Sequence, residues 1–135
     1  AREILTATAQ DPGFVNALLT GNLSVAAEIK LRSVGLWDYF AGAPNAFGEI
    51  SHERKDLAHE AGRLFNQRFD FEFSPQQFIG DTPNDISCAR DFGAKAVAVA
   101  TGRNQSREKL LAHEPDALLD DLRDTAKVLK VLENL

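Results

Sequence analysis

The sequence holds a single cysteine, Cys88, among 135 residues and contains no methionine. One thiol can close no internal disulfide and build no thiolate cage around zinc, so disulfide scaffolds and cysteine-rich metal folds are excluded and a cytoplasmic setting is the expectation. Long hydrophobic runs are lacking too. The longest is Ala96 to Ala100, all small side chains and far below the ~20 residues that span a bilayer. No basic start leads into an apolar stretch, so a secretion signal finds no support. Basic charge is in deficit, with 15 Lys and Arg against 20 Asp and Glu and a net charge of -5. Nucleic acids and anionic membranes both need a concentrated basic surface, so neither is expected as a partner. Hydrophobic residues at 44% and charged residues at 26% are globular values and exclude a disordered chain. The length is that of one ordinary domain.

What is present reads as alternating strands and helices. The first ten residues look like a helix interior with no N-cap before Ile4 and Leu5, which predicts that an N-terminal part precedes Ala1 in a longer parent. Asp11-Pro12-Gly13 marks a turn, and the apolar run from Phe14 to Leu19 predicts a strand. A helical pattern from Leu23 to Val34 stops at Gly35, and a bulky cluster from Leu36 to Phe40 follows. Ala46-Phe47-Gly48 suits a short strand, and Leu57, Ala58, Ala61, Leu64 and Phe65 fall on one helix face. Phe78-Ile79 predicts a strand, the next helix closes at Gly93, and Ala96 to Ala100 reads as a strand buried on both faces. Ser106 is expected to cap a helix reaching His113, Ala117 to Leu119 to form a last strand, and Asp121 to Leu135 a final helix. Such alternation implies parallel strands joined by crossover helices, an α/β doubly wound fold.

Ligands of such sheets bind beyond the carboxyl ends of the strands, so the loops that follow the apolar runs carry the chemistry. These loops are Thr20-Gly21-Asn22, Gly80-Asp81-Thr82-Pro83-Asn84-Asp85 and Thr101-Gly102-Arg103. A hydroxyl beside free backbone N–H groups at a helix start suits an anion. The carboxylates of Asp81 and Asp85 suit a hard divalent ion such as magnesium, which takes oxygen ligands and keeps waters. An anion pocket beside magnesium points to phosphate chemistry.

At these residues the chain resembles the haloacid dehalogenase superfamily, in its phosphoglycolate-phosphatase-like branch. Leu18-Leu19-Thr20-Gly21-Asn22 is similar to the second motif of that family, and Phe78 to Asp85 is similar to the acidic fourth motif. The stretch from Gly93 to Gly102 and Pro115-Asp116 follow the same course. The resemblance implies a three-layer Rossmann-like core and a magnesium-dependent phosphatase acting on a small phosphorylated metabolite through an aspartyl-phosphate. It implies that Thr20, with the amides of Gly21 and Asn22, binds the phosphoryl group and that Asp81 and Asp85 serve Mg2+. Arg54 would be the cation of the third motif, with Lys55 as the alternative. One departure is large. The family's first motif is an Asp-x-Asp pair that carries the nucleophile, and no Asp-x-Asp occurs in these 135 residues; Asp70-Phe71-Glu72 comes nearest. The resemblance therefore implies a partial core, residues 1–135, without its first strand and its cap. Such a chain is expected to be inactive alone and to self-associate through an open sheet edge.

Plainer roles compete for the same residues. Thr20-Gly21-Asn22 also suits a simple strand-to-helix turn, and Asp85 a carboxylate at a helix N-terminus. Arg54 and Lys55 lie in a charged stretch of the kind that forms solvated faces. His52, His59 and His113 lack metal spacing, Cys88 reads as packed, and Trp37, Tyr39 and Phe40 as core. Asp120, Asp121 and Asp124 suit the start of the last helix. Two other functions stay in view. A haloacid dehalogenase needs no metal, and Asp81 argues against it; a non-catalytic phosphate- or metal-binding remnant fits the missing Asp-x-Asp.

Overall fold

The computed structural model describes residues 1–68, 77–103 and 105–135. Asp70-Phe71-Glu72 lies outside the described residues. The chain divides into two compact units, Arg2–Phe73 and Ser74–Leu135, the latter with Ala1.

The C-terminal unit is a parallel sheet with helices. Strands β1 (Gln77–Gly80), β2 (Lys95–Val99) and β3 (Ala117–Leu119) lie in the order β1-β2-β3, so β2 is central. Phe78 pairs with Ala96 and Gly80 with Ala98, while Val97 pairs with Ala117 and Val99 with Leu119. Ala96, Val97, Ala98 and Val99 are all buried, so the unbroken apolar run marks a strand covered on both faces, as its lack of polar alternation predicts. The alanines of β2 form one core cluster with Ile86 and Ala89 of helix α4 (Pro83–Phe92), Ala94 and Leu110 of α5 (Arg107–Leu111). Side chains on a strand alternate between faces, so Val97 and Val99 line the other one. Leu110 is fully buried, and its truncation to alanine should cost about 2–5 kcal/mol.

Local chemistry bounds these elements, with α5 stopping at Leu111, short of the expected His113. Gly93 takes the left-handed conformation (φ 80°) and its N–H reaches Ala89 and Arg90 carbonyls, which closes α4. Ser106 caps α5 by accepting from Lys109 N. The last helix, α6 (Thr125–Asn134), starts later than the expected Asp121. Asp124 is its cap, accepting from Lys127 N at 3.0 Å, and Asp121 is drawn into a turn by accepting from Arg123 N at 2.7 Å. Asp120 pairs with Arg107. All three acidic residues are thus engaged within the protein.

The N-terminal unit carries helices α1 (Arg2–Gln10), α2 (Ser24–Ser33) and α3 (Arg54–Arg68), with a 3-10 turn at Trp37–Tyr39. The expected strands Phe14–Leu19 and Ala46–Gly48 are corrected: they shrink to one parallel bridge, Leu19 with Ala46. Side chains take over part of the ladder there. Asn16 Oδ1 accepts from the buried Thr8 hydroxyl at 3.0 Å, and Leu18 N donates to Asn45 Oδ1 at 2.8 Å rather than to a neighbouring backbone. Phe40 is buried, Tyr39 hydrogen-bonds Thr6 at 2.6 Å, and Arg32 stacks over Trp37. The aromatic cluster therefore packs within the unit. Among the described residues, no helix is long and apolar enough to cross a membrane.

Candidate active site

In the C-terminal unit, β1 delivers the acidic loop directly into α4. Thr82 sits at the N-cap of α4 in extended conformation, its hydroxyl accepting from Asp85 N, and Pro83 occupies the first turn where no N–H is needed. Asp85 reaches back with Oδ2, which accepts from Thr82 N (3.0 Å), Thr82 Oγ1 (2.7 Å) and Asp81 N (3.1 Å). This reciprocal capping box satisfies two orphan amides at the helix start. The plainer role of Asp85 is therefore realised, with Oδ2 taking three donors.

Asp81, one residue past the end of β1, is exposed. The loop after β2 comes up against it. A Cβ built on Gly102 would stand 3.1 Å from both the carbonyl oxygen and Oδ2 of Asp81. The glycine thus leaves two oxygens of Asp81 facing a cradle that a side chain would crowd. Two of the three strand-end loops are brought together in this way. Among the described residues no three His, Cys, Asp or Glu side chains form a metal cluster. A zinc-type site needs such a cluster; magnesium, held by one or two carboxylates plus waters, does not.

In the N-terminal unit, the Thr20 loop leads to α2. Thr20 Oγ1 accepts from Asn22 N at 3.1 Å and from Asn22 Nδ2 at 2.9 Å, while Lys30 Nζ donates to Asn22 Oδ1 at 3.1 Å. A hydroxyl has two acceptor sites and one proton, so the Thr20 proton is the part of this group left to donate. Nothing lies within 4 Å of where a Cβ on Gly21 would stand, so the residue is open on that side.

The same loop is bound to the segment before α3 by a series of bonds at alternate residues. Ala46 N donates to Leu18 O (2.9 Å), Thr20 N to Ala46 O (3.1 Å) and Gly48 N to Asn22 O (2.9 Å). Ser24 then donates through both N and Oγ to Glu49 Oε1, each at 2.6 Å. The Ser24 hydroxyl and then its amide hold the Glu49 carboxyl below the usual glutamate range. A Cβ on Gly48 would overlap the Gly21 carbonyl oxygen, so the two segments approach as closely as a glycine permits. The sequence reading singled out neither Gly48 nor Glu49. Their signal was the position of Gly48-Glu49 directly after the apolar Ala46-Phe47.

Arg54 and Lys55 open α3, Arg54 partly buried and Lys55 exposed. His52, His59 and His113 are exposed, and Cys88 is buried.

The family model described as HAD-hydrolase-like matches residues 57–125, just over half of the chain. The chain is 26% identical over 123 residues to a probable phosphatase, IndB, of Dickeya dadantii, covering 91% of this chain and 52% of that protein. It is 28% identical over 119 residues to a phosphoglycolate phosphatase of Vibrio vulnificus, covering 88% and 50%. Among solved structures, a predicted phosphatase from Clostridium acetobutylicum superposes with a TM-score of 0.73 at 21% identity, over 96% of this chain and 58% of that one. A putative β-phosphoglucomutase from Bacteroides vulgatus gives 0.75 at 17% identity, over 98% and 51%. These last two similarities establish the fold. The chain spans about half the length of the relatives it matches, and on the family match it belongs to the HAD-hydrolase-like family.

Proposed function

We propose that the chain is part of a magnesium-dependent phosphatase that hydrolyses a small phosphorylated metabolite through an aspartyl-phosphate. Because no Asp-x-Asp occurs in these residues, the nucleophile belongs to a segment of the parent protein outside them. The observation that carries the reading is the Thr20 hydroxyl, whose acceptor sites are filled by Asn22 so that its proton is left for an incoming oxygen. The Gly21 amide, on a residue with nothing within 4 Å of where its Cβ would stand, adds a second donor. Asn22 serves by orienting Thr20, since its own N–H is committed there.

Asp81 would hold Mg2+, because its carboxylate and carbonyl oxygen share the cradle beside Gly102. Asp85 would act beside it, on the metal or its waters, while its Oδ2 keeps the loop folded. A bound magnesium ion would neutralise charge on the phosphoryl oxygens. Arg54 would add a fixed positive charge from the start of α3, with Lys55 as the alternative. The substrate is small and phosphorylated; 2-phosphoglycolate, named by the Vibrio vulnificus relative, is the first to try.

The test uses the full-length parent, with para-nitrophenyl phosphate and 2-phosphoglycolate as substrates and magnesium present. Thr20→Val should slow turnover by about a hundredfold, the loss seen when a preorganised donor to a developing charge is removed. Alanine at the true third-motif cation, Arg54 or Lys55, should do the same. Wild-type turnover in Thr20→Val, or mild and equal effects at residues 54 and 55, would overturn the assignment of those residues.

A further inference from the structure

Helix α2 is capped from a distance. Its own N-cap residue, Leu23, makes no side-chain cap bond, and the first N–H group of the helix is taken instead by Glu49 from the segment that leads into α3. A helix start favours a carboxylate through its free N–H groups and its dipole, and a serine or aspartate at residue 23 would supply such a cap locally. A remote cap does something a local one cannot. It ties the loop that carries Thr20 to the segment that carries Arg54. Glu49 is the charged member of the series of bonds running from Leu18 to Ser24. The close approach of Gly48 to Gly21 leaves little slack between the two segments.

We propose that Glu49 is a positioning residue of the phosphate site. By holding Ser24 through both N and Oγ, it sets the direction in which the Thr20 hydroxyl and the Gly21 N–H face an anion, and it registers that loop against the start of α3. Glu49 itself touches no substrate. The inference rests on the reading of the Thr20 loop as the phosphate site.

Inorganic phosphate titrated into the 135-residue chain, followed through the amide resonances of Gly21 and Asn22, tests it. The wild type is compared with Glu49→Ala, Glu49→Gln and Asp124→Ala, each also melted to record Tm. Asp124 caps α6 and serves as a control for the loss of any helix cap. Glu49→Ala should weaken phosphate binding by about tenfold, as expected on losing bonds to a charged group. Glu49→Gln keeps an acceptor oxygen and should recover most of the affinity, whereas Asp124→Ala should lower Tm and leave affinity unchanged. If Glu49→Ala fails to fold, Ser24→Ala removes one of the two bonds and should give an intermediate loss. Unchanged affinity in Glu49→Ala, or in Ser24→Ala where that variant stands in, overturns the positioning role alone. A wild type whose Gly21 and Asn22 resonances ignore phosphate overturns the site reading beneath it, and every variant is then equally silent.

Discussion

The carboxylate of Asp85 fills the space that a side chain on Gly80 would need. A Cβ on Gly80 would overlap Cβ, Cγ and Oδ2 of Asp85, and only because residue 80 is glycine can Oδ2 reach the amides of Asp81 and Thr82. The glycine is required here for room, since its φ lies outside the left-handed values found at Gly35, Gly42 and Gly93. Gly80 and Asp85 are therefore one steric unit. Together they set the backbone from which Asp81 projects.

Gly80→Ala should push Asp85 out of the capping box. The loss of the cap is worth about 1–2 kcal/mol, a fall of several degrees in Tm for a chain of this size. The pair can be tested for coupling by thermal unfolding of Gly80→Ala, Asp85→Ala and the double variant. With Asp85 already truncated, alanine at residue 80 should cost little more, because the overlapping group is gone. Strictly additive losses would mean that the two residues act independently.

Asp81 and Gly102 extend the same argument to the metal. In the full-length parent, Asp81→Ala should remove nearly all magnesium-dependent phosphatase activity, and Asp85→Ala should raise the magnesium concentration needed for half-maximal rate. Gly102→Ala places a methyl group 3.1 Å from Asp81 Oδ2 and should also raise that concentration, with a smaller effect on the saturated rate. Activity of Asp81→Ala that persists in the presence of a chelator would remove Asp81 from the metal site.

Much of this was legible in the sequence, and the physical reasons differ by region. β2 was plain because five small apolar residues in a row, Ala96 to Ala100, suit a buried parallel strand and little else. Asp85 and Gly93 marked the two ends of α4 through capping chemistry that acts within a few residues. The Phe14–Leu19 run misled because only its end reaches a neighbouring backbone, at Ala46, while Asn16 and the Leu18 N–H bond the side chains of Thr8 and Asn45, which no local pattern encodes. Glu49 was missed for the same reason: a helix cap is sought next to the helix, and this one lies 25 residues away. Long-range polar bonds were what the sequence hid.

Asp116 provides a pH-dependent handle on the sheet. Its Oδ2 accepts from Ala96 N at 2.9 Å and its Oδ1 from Lys95 Nζ at 3.0 Å, joining the start of β2 to the segment before β3. The Ala96 amide, and then the Lys95 ammonium, hold its carboxyl below the ordinary value of 3.8. A depressed native pKa contributes stability above the unfolded value and loses it as pH falls through the native one. The hydrogen bond is worth about 0.5–1.5 kcal/mol, and the exposed ion pair adds little. Asp116→Asn should therefore melt a few degrees below wild type at neutral pH. The gap should hold down to about pH 5 and close as the wild-type carboxylate protonates below its ordinary value. A gap that stays constant into strong acid would show that the charge of Asp116 contributes nothing.

The 135-residue chain on its own should not turn over phosphate esters. A phosphate pocket and a metal lower the barrier only when a nucleophile is placed against the phosphorus, and the Asp-x-Asp pair that would supply it is not among these residues. The chain should also self-associate. Among the described residues, β1 pairs in the three-stranded sheet with β2 alone, which makes its other side a sheet edge. Ile79 on that strand is 46% exposed. An edge of this kind templates pairing with another strand, and a second copy is the strand always at hand in a purified sample. Light scattering after size-exclusion chromatography should give at least a dimer mass, and para-nitrophenyl phosphate with magnesium should give background rates. Placing a lysine at residue 79 should shift the mass toward monomer, because a charge on an edge strand opposes edge-to-edge pairing. A monomer with robust magnesium-dependent turnover would mean that the nucleophile lies within these residues after all, and a monomer without turnover would leave the β1 edge satisfied by this chain itself.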